Sequence, residues 1–269
     1  MIVAQVYVDD IIFRSTKDEL AHSFSKLMQA EFEMSMIGEL THFLGLQIRQ
    51  LDSGIFLSQS KYAKKLVKKF GLESANSVRT LMSPNVKLTV DLLGKSVDSS
   101  LYKSMIGNLL YLTASRPDIS YSVRMCARYQ ANLKESLMTA LKRIIKYVKT
   151  TAEFDVWYSK DTNDVLAGYS DTDWTGNVDD IKSTSGGCFY VGSNLVSWMS
   201  KKQNSISLST AEAEYIAVGS CCTQLQWMQK LLHDYGIYQE HLTIYCDNTS
   251  AINISKNLVQ HSRTKHIEI

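Results

Sequence analysis

Apolar residues crowd the first stretch of the chain and break at a pair of acids. Residues 1–8 and Ile11, Ile12 and Phe13 flank Asp9 and Asp10. Two β-rich arms around a short acidic turn predict a hairpin. Residues 18–33 change to helical spacing, with Leu20, Phe24, Leu27 and Met28 on one face. The run from His42 to Ile48 is β-like again, and residues 55–58 follow the turn signal Asp52-Ser53-Gly54, so a second hairpin is expected. Residues 60–70 predict a helix whose apolar face carries Tyr62, Leu66 and Phe70. Residues 74–97, rich in Ser, Asn and Asp and containing Pro84, keep no period and read as a linker or long loop.

Helical periods return after that loop. A helix over 99–115 follows an Asp98 cap, with Leu101, Met105, Leu109 and Leu112 as its stripe. A second begins near Pro117, whose ring suits the first helical position, with Asp118 favourable beside it. A third, 135–149, sets Leu141, Ile144, Ile145 and Val148 against Lys142, Lys146 and Lys149. Beyond residue 150 the pattern becomes strand-like at 154–159, 165–170, 186–191 and 195–199. A long helix over 210–235, a strand at 242–247 and a helix at 248–257 complete it. This switch puts an expected domain boundary near 150 and a fold class of α+β or α/β.

The chain has 269 residues, 45% of them hydrophobic and only 2 of them proline, which suits a folded protein of two modules, or of one and a fragment. With 29 basic and 27 acidic residues the net charge is +2, so a histone-like protein is excluded while local basic patches are not. One such patch is plain: Lys61, Lys64, Lys65, Lys68 and Lys69 fall at i, i+3, i+4, i+7 and i+8, a single helical face. It is either a solvated face or a helix that tracks phosphates. The 5 cysteines form no C-x-x-C pair, which argues against a zinc ribbon or a thioredoxin-type site and favours a reducing compartment. Cys246, in an apolar run, reads as a small buried residue. No apolar run reaches the roughly 18 residues of a membrane span, and the start of the chain lacks the basic region of a secretory signal.

Several carboxylates sit where chemistry is feasible. Asp171 ends one predicted strand and Asp247 another, and strand-end carboxylates can converge at one sheet edge to hold divalent metal, although each could equally cap a turn or helix. In Ser209-Thr210-Ala211-Glu212-Ala213-Glu214, the two glutamates lie about 200° apart on a helix. Glu214 shares its face with Val218, Cys221, Leu225, Met228 and Leu232 and is expected on the buried side, where a carboxylate needs a partner; Glu212 is expected to face solvent. His261 and His266 read as polar contacts rather than metal ligands, and Glu268 lies beside them. Asp9 and Asp10 form either an ordinary acidic turn or a site for Mg²⁺ and phosphates.

Tyr7-Val8-Asp9-Asp10 resembles the Y-x-D-D turn of reverse transcriptases. Phe43 to Ile48, Leu57 to Tyr62, Arg116 to Tyr121, Ser170 to Trp174, Lys182 to Gly186, Ser209 to Tyr215, Cys246-Asp247-Asn248 and His261 to His266 follow in order. Together they resemble the copia-type LTR retrotransposon Pol polyprotein, from the end of its polymerase palm through its ribonuclease H (RNase H) domain. The resemblance implies a truncated palm over 1–58, with hairpin and primer-grip region, and a thumb- or connection-like helical region over 59–150. It implies an RNase H-like mixed-sheet domain, short at its C-terminus, over 151–269. The implied activity is hydrolysis of the RNA strand of RNA–DNA hybrids, using two Mg²⁺ (or Mn²⁺) ions held by Asp171, Glu214, Asp247 and Glu268. The family normally carries Asp where this chain has Glu268. The implied partners are a hybrid or template–primer duplex, followed by Lys61, Lys64, Lys65, Lys68, Lys69, Lys142 and Lys146, and the rest of a Pol polyprotein. The expected locations are cytoplasm, nucleus or virus-like particle. Only six residues precede Tyr7, so the fingers and upstream palm are expected to be absent, Asp9 and Asp10 to be an incomplete metal site, and polymerase activity to be lost.

Overall fold

In the computed structural model the described residues are 1–82, 88–131 and 133–256. They form a mixed α and β structure with seven helices and several sheets. The chain divides into two compact units, Met1–Ile48 and Arg49–Ile269.

In the first unit, strands β1 (Ile2–Tyr7) and β2 (Asp10–Ser15) pair antiparallel, with Tyr7 opposite Asp10. The two-residue turn between them holds Val8 at φ 54°, a left-handed conformation that a β-branched residue adopts only under strain. Helix α1 (Asp18–Glu31) lies on β2, where Phe13 and Phe24 meet edge to face at 5.0 Å. β3 (His42–Phe43) pairs with the start of β4 (Leu46–Leu51), and the boundary between units falls inside β4. No residue of this unit is buried. A hairpin and one helix have too little apolar surface to close a core.

The second unit opens with the remainder of β4, the Asp52-Ser53 turn and β5 (Gly54–Ser58). α2 (Ser60–Lys69), α3 (Ser99–Leu112), α4 (Pro117–Ala127) and α5 (Glu135–Thr150) then share one core. Leu66, Leu109, Ile119, Leu141, Ile144 and Ile145 are at most 1% exposed in it, each contributing about 1.5–3 kcal/mol by burial. The helix signals act as the residues suggest. Asp98 accepts from the Ser100 N–H at 2.8 Å, and Pro117 occupies the first turn of α4. Before it, the buried Arg116 forks onto Asp118 at 2.8 and 2.7 Å and donates to the Thr151 carbonyl and hydroxyl, which ties α4 to the end of α5. Every bond the guanidinium makes is to an acceptor it can satisfy, so its charge is tolerated inside.

After α5, β6 (Val156–Ser159) pairs antiparallel with β5. β7 (Leu166–Asp173), β8 (Thr184–Val191) and β9 (Asn194–Lys202) form an antiparallel meander. The long α6 (Thr210–Asp234) crosses β7 and β8, and β10 (Thr243–Tyr245) then joins the other side of β7 in parallel. α7 (Thr249–Lys256) packs on α6. Leu166, Phe189, Cys221, Leu225 and Met228 make a second core here. Two glycines let α6 settle onto the sheet. A Cβ at Gly187 would stand 2.9 Å from Cys221 Sγ, and one at Gly168 3.0 Å from Leu225 Cδ1. Among the described residues no helix is long and apolar enough to cross a membrane.

Candidate functional site

Tyr245 of β10 lies opposite Tyr169 of β7, and the strands are parallel. Asp247, two residues past Tyr245 and beyond the end of β10, therefore comes level with Asp171, which does not end its strand as expected but lies within β7, two residues before its last residue. Neither is a helix cap: Asn248 caps α7, its side chain accepting from the Ala251 N–H at 3.0 Å, and Asp171 lies within β7.

Glu214 reaches this edge from the first turns of α6. Ser209 caps the helix by accepting from the Glu212 N–H at 3.1 Å, and the Glu212 carboxylate turns back to accept from the Leu208 N–H at 2.7 Å. Glu212 thus serves the helix start instead of facing open solvent. Glu214 turns inward as expected and is 6% exposed. Its Oε1 accepts from the Thr172 N–H at 3.1 Å, and the same N–H lies 2.7 Å from Asp171 Oδ1. Its Oε2 is buried with no hydrogen-bond partner. Burial first, then the negative charges of Asp171 and Asp247, push the Glu214 carboxyl up to about 7, against a smaller lowering by the Thr172 N–H. An unpartnered oxygen between like charges is suited to a cation, and the hard oxygen donors suit Mg²⁺ or Mn²⁺.

One side chain that sequence reasoning missed holds this corner together. Buried Gln203 donates through Nε2 to the Ala213 carbonyl at 2.8 Å, Ser185 Oγ at 3.0 Å and Thr172 Oγ1 at 3.2 Å, and accepts from Ser207 Oγ–H at 3.0 Å. It links α6, β8 and β7 beside Glu214. As an amide in a run of polar residues after β9, it carried no periodic or motif signal. Cys246 differs from its expected role too: half-buried just past β10, its Sγ lies within 4.8 Å of ligand atoms of both Glu214 and Asp247.

Residues 1–84 match the family described as "Reverse transcriptase (RNA-dependent DNA polymerase)". Over 98% of its length the chain is 37% identical to the retrovirus-related Pol polyprotein from transposon RE1 of Arabidopsis thaliana, of which it covers 18%. It is 31% identical over its full length to the Pol polyprotein from transposon TNT 1-94 of Nicotiana tabacum, covering 21% of it. An uncharacterized mitochondrial protein of Arabidopsis thaliana is 32% identical over 82% of this chain and is 92% covered by it. The chain belongs to the copia-type retrotransposon Pol family. It spans about a fifth of the length of the Pol polyproteins it matches. No solved structure gives a significant match.

In this Pol-family chain the lysines singled out from the sequence lie on α2 and α5. Asp9 and Asp10 are exposed in the first unit. Among the described residues, Glu214, Cys246 and Asp247 are the one group of three or more acidic, His or Cys donors close enough to share an ion, so nothing of that kind gathers with Asp9 and Asp10. Lys61, Lys64, Lys65, Lys68 and Lys69 are all exposed along α2, opposite buried Ala63, Leu66 and Val67. Lys64 pairs with Glu153, and Lys69 reaches Asn108 Oδ1 at 3.4 Å. Lys142 is exposed and Lys146 half-buried on α5. Glu268, His261 and His266 lie outside the described residues.

Proposed function

We propose that residues 151–269 of this Pol-family chain form an RNase H-type hydrolase that cuts the RNA strand of an RNA–DNA hybrid with Mg²⁺. In the same reading residues 1–58 are a palm segment and 59–150 a thumb-like helical region that follows the duplex. The observation that carries it is Glu214, a buried carboxylate with one unpartnered oxygen that feels the negative charges of Asp171 and Asp247. Asp171, Glu214 and Asp247 would hold the metal, with Glu268 as the fourth carboxylate the family resemblance implies. Bound divalent ions supply a nucleophilic water and neutralise charge that develops on the phosphate. The chain's own residues do the rest. The Thr172 N–H and the α6 packing orient Glu214, and Gln203 locks Thr172 to the start of α6. Asp171 and Asp247, both exposed, face the side from which substrate arrives. The lysine face of α2 binds phosphates without reading bases, and contacts to 2′-hydroxyls separate RNA from DNA.

Incubation with a labelled hybrid and Mg²⁺ tests this. RNA-strand cleavage that disappears in Asp171→Asn supports it, and cleavage that survives that change removes the assignment. The five exposed lysines favour a second reading, a nucleic-acid-binding chain without catalysis. Salt-dependent hybrid binding with no cutting in Mg²⁺ or Mn²⁺ would select it.

A further inference from the structure

The tightest donor set at the carboxylate edge is not made of oxygens alone. One ligand atom each from Glu214, Cys246 and Asp247 lie within 4.8 Å of one another, close enough for a single ion. The Cys246 thiol is only half-buried, and its hydrogen bond to the Asn248 carbonyl is long, 4.0 Å. Independently of the thiol, Glu214, itself 6% exposed, keeps a buried Oε2 with no hydrogen-bond partner. A site that mixes a sulfur donor with carboxylates prefers Zn²⁺ or Cd²⁺ to Mg²⁺, because soft thiolate gains little from a hard, strongly hydrated ion.

We propose that Cys246, Glu214 and Asp247 form a site for a thiophilic divalent ion of the Zn²⁺ or Cd²⁺ class, whose occupancy excludes Mg²⁺ and switches the hydrolase off. The regulatory half of this proposal rests on the RNase H reading. The step is a ligand exchange with no change of oxidation state. The Cys246 S–H bond breaks, its proton leaves to solvent, and a sulfur–metal bond forms while the ion sheds water. Two donors are shared with the Mg²⁺ set and the third is sulfur, so the two ions compete for the same carboxylates. Cys221, fully buried, and Cys222, exposed on α6, belong to no three-donor group among the described residues and serve as internal controls.

The test uses the full chain stripped of metal and titrated with Cd²⁺. Two readouts are independent of activity: the thiolate-to-cadmium charge-transfer absorption, and the alkylation rate of each cysteine resolved by peptide mass spectrometry. The expected result is a band saturating at one ion per chain, with Cys246 alkylation slowed at least about tenfold and Cys222 unaffected. The band is lost in Cys246→Ser, and Asp247→Asn weakens Cd²⁺ at least about tenfold while leaving Cys246 open to alkylation. No band, or a Cys246 that reacts equally fast with Cd²⁺ present, overturns the site. Hybrid cleavage in Mg²⁺ is measured on the same sample. A band without any cleavage upholds the metal site and removes the hydrolase reading, whereas cleavage that persists at saturating Cd²⁺ overturns the switch.

Discussion

Replacing Glu214 with Gln should stabilise the metal-free protein at pH 8 and leave its stability nearly unchanged at pH 5. The carboxyl rises from 4.5 to about 7 because it is buried and faces Asp171 and Asp247. A raised carboxyl binds its proton more tightly when folded, so its contribution is complete below pH 4.5 and is lost as pH climbs to about 7. A displacement of that size corresponds to about 3 kcal/mol at about 1.36 kcal/mol per unit. The side chain is only 6% exposed, but Asp171 and Asp247 beside it are open to solvent, which screens part of this and leaves about 1–3 kcal/mol. Gln keeps an Oε1 for the Thr172 N–H and places an NH₂ where the unpartnered oxygen stood, facing the two aspartates. Thermal unfolding followed by circular dichroism in EDTA at pH 5, 6.5 and 8 measures the effect. At about 2–4 °C per kcal/mol for a unit of this size, the variant should melt about 2–12 °C above the unsubstituted protein at pH 8. Mg²⁺ should narrow that gap, since it binds and stabilises only the chain that keeps the carboxylate. A Glu214→Gln protein that melts at or below the unsubstituted protein at pH 8 in EDTA refutes the reasoning.

Asp171→Asn should lower hybrid cleavage at least about a hundredfold, with a melting curve shifted by no more than a few degrees, because an exposed carboxylate carries little stability. Changing Lys61, Lys65 and Lys68 together to Glu should weaken duplex binding for all sequences alike. It should also flatten the salt dependence by about 0.9 in slope for each lysine that contacts a phosphate, as read by fluorescence anisotropy across a salt series. Gln203→Leu should cost about 2–4 kcal/mol in urea unfolding, since Ser207, Ser185 and the Ala213 carbonyl lose their buried partner. An unchanged midpoint would show that water replaces the amide.

Much of the local structure was legible from residue order. The hairpin at Asp9, the cap at Asp98 and the basic face of α2 depend on contacts a few residues apart, which helix and strand periods encode. The inward turn of Glu214 against Glu212 followed from the same 100° rotation per residue. What escaped was non-local. Gln203 matters because β9 ends beside α6, and Cys246 because β10 stops at Tyr245, leaving the thiol at the rim of the metal edge. Neither fact has a period to betray it.

The sequence alone settled which residues are helical or extended, which face of each is apolar, and, through nine ordered motifs, which family the chain resembles. Only the tertiary structure brought Asp171, Glu214 and Asp247 to one corner, because that requires β10 to return across α6 and lie parallel to β7. The physical reason lies in range. Periodicity reports the torsions and burial of neighbouring residues, whereas a charged site depends on strand order, and strand order is chosen by the packing of segments tens of residues apart.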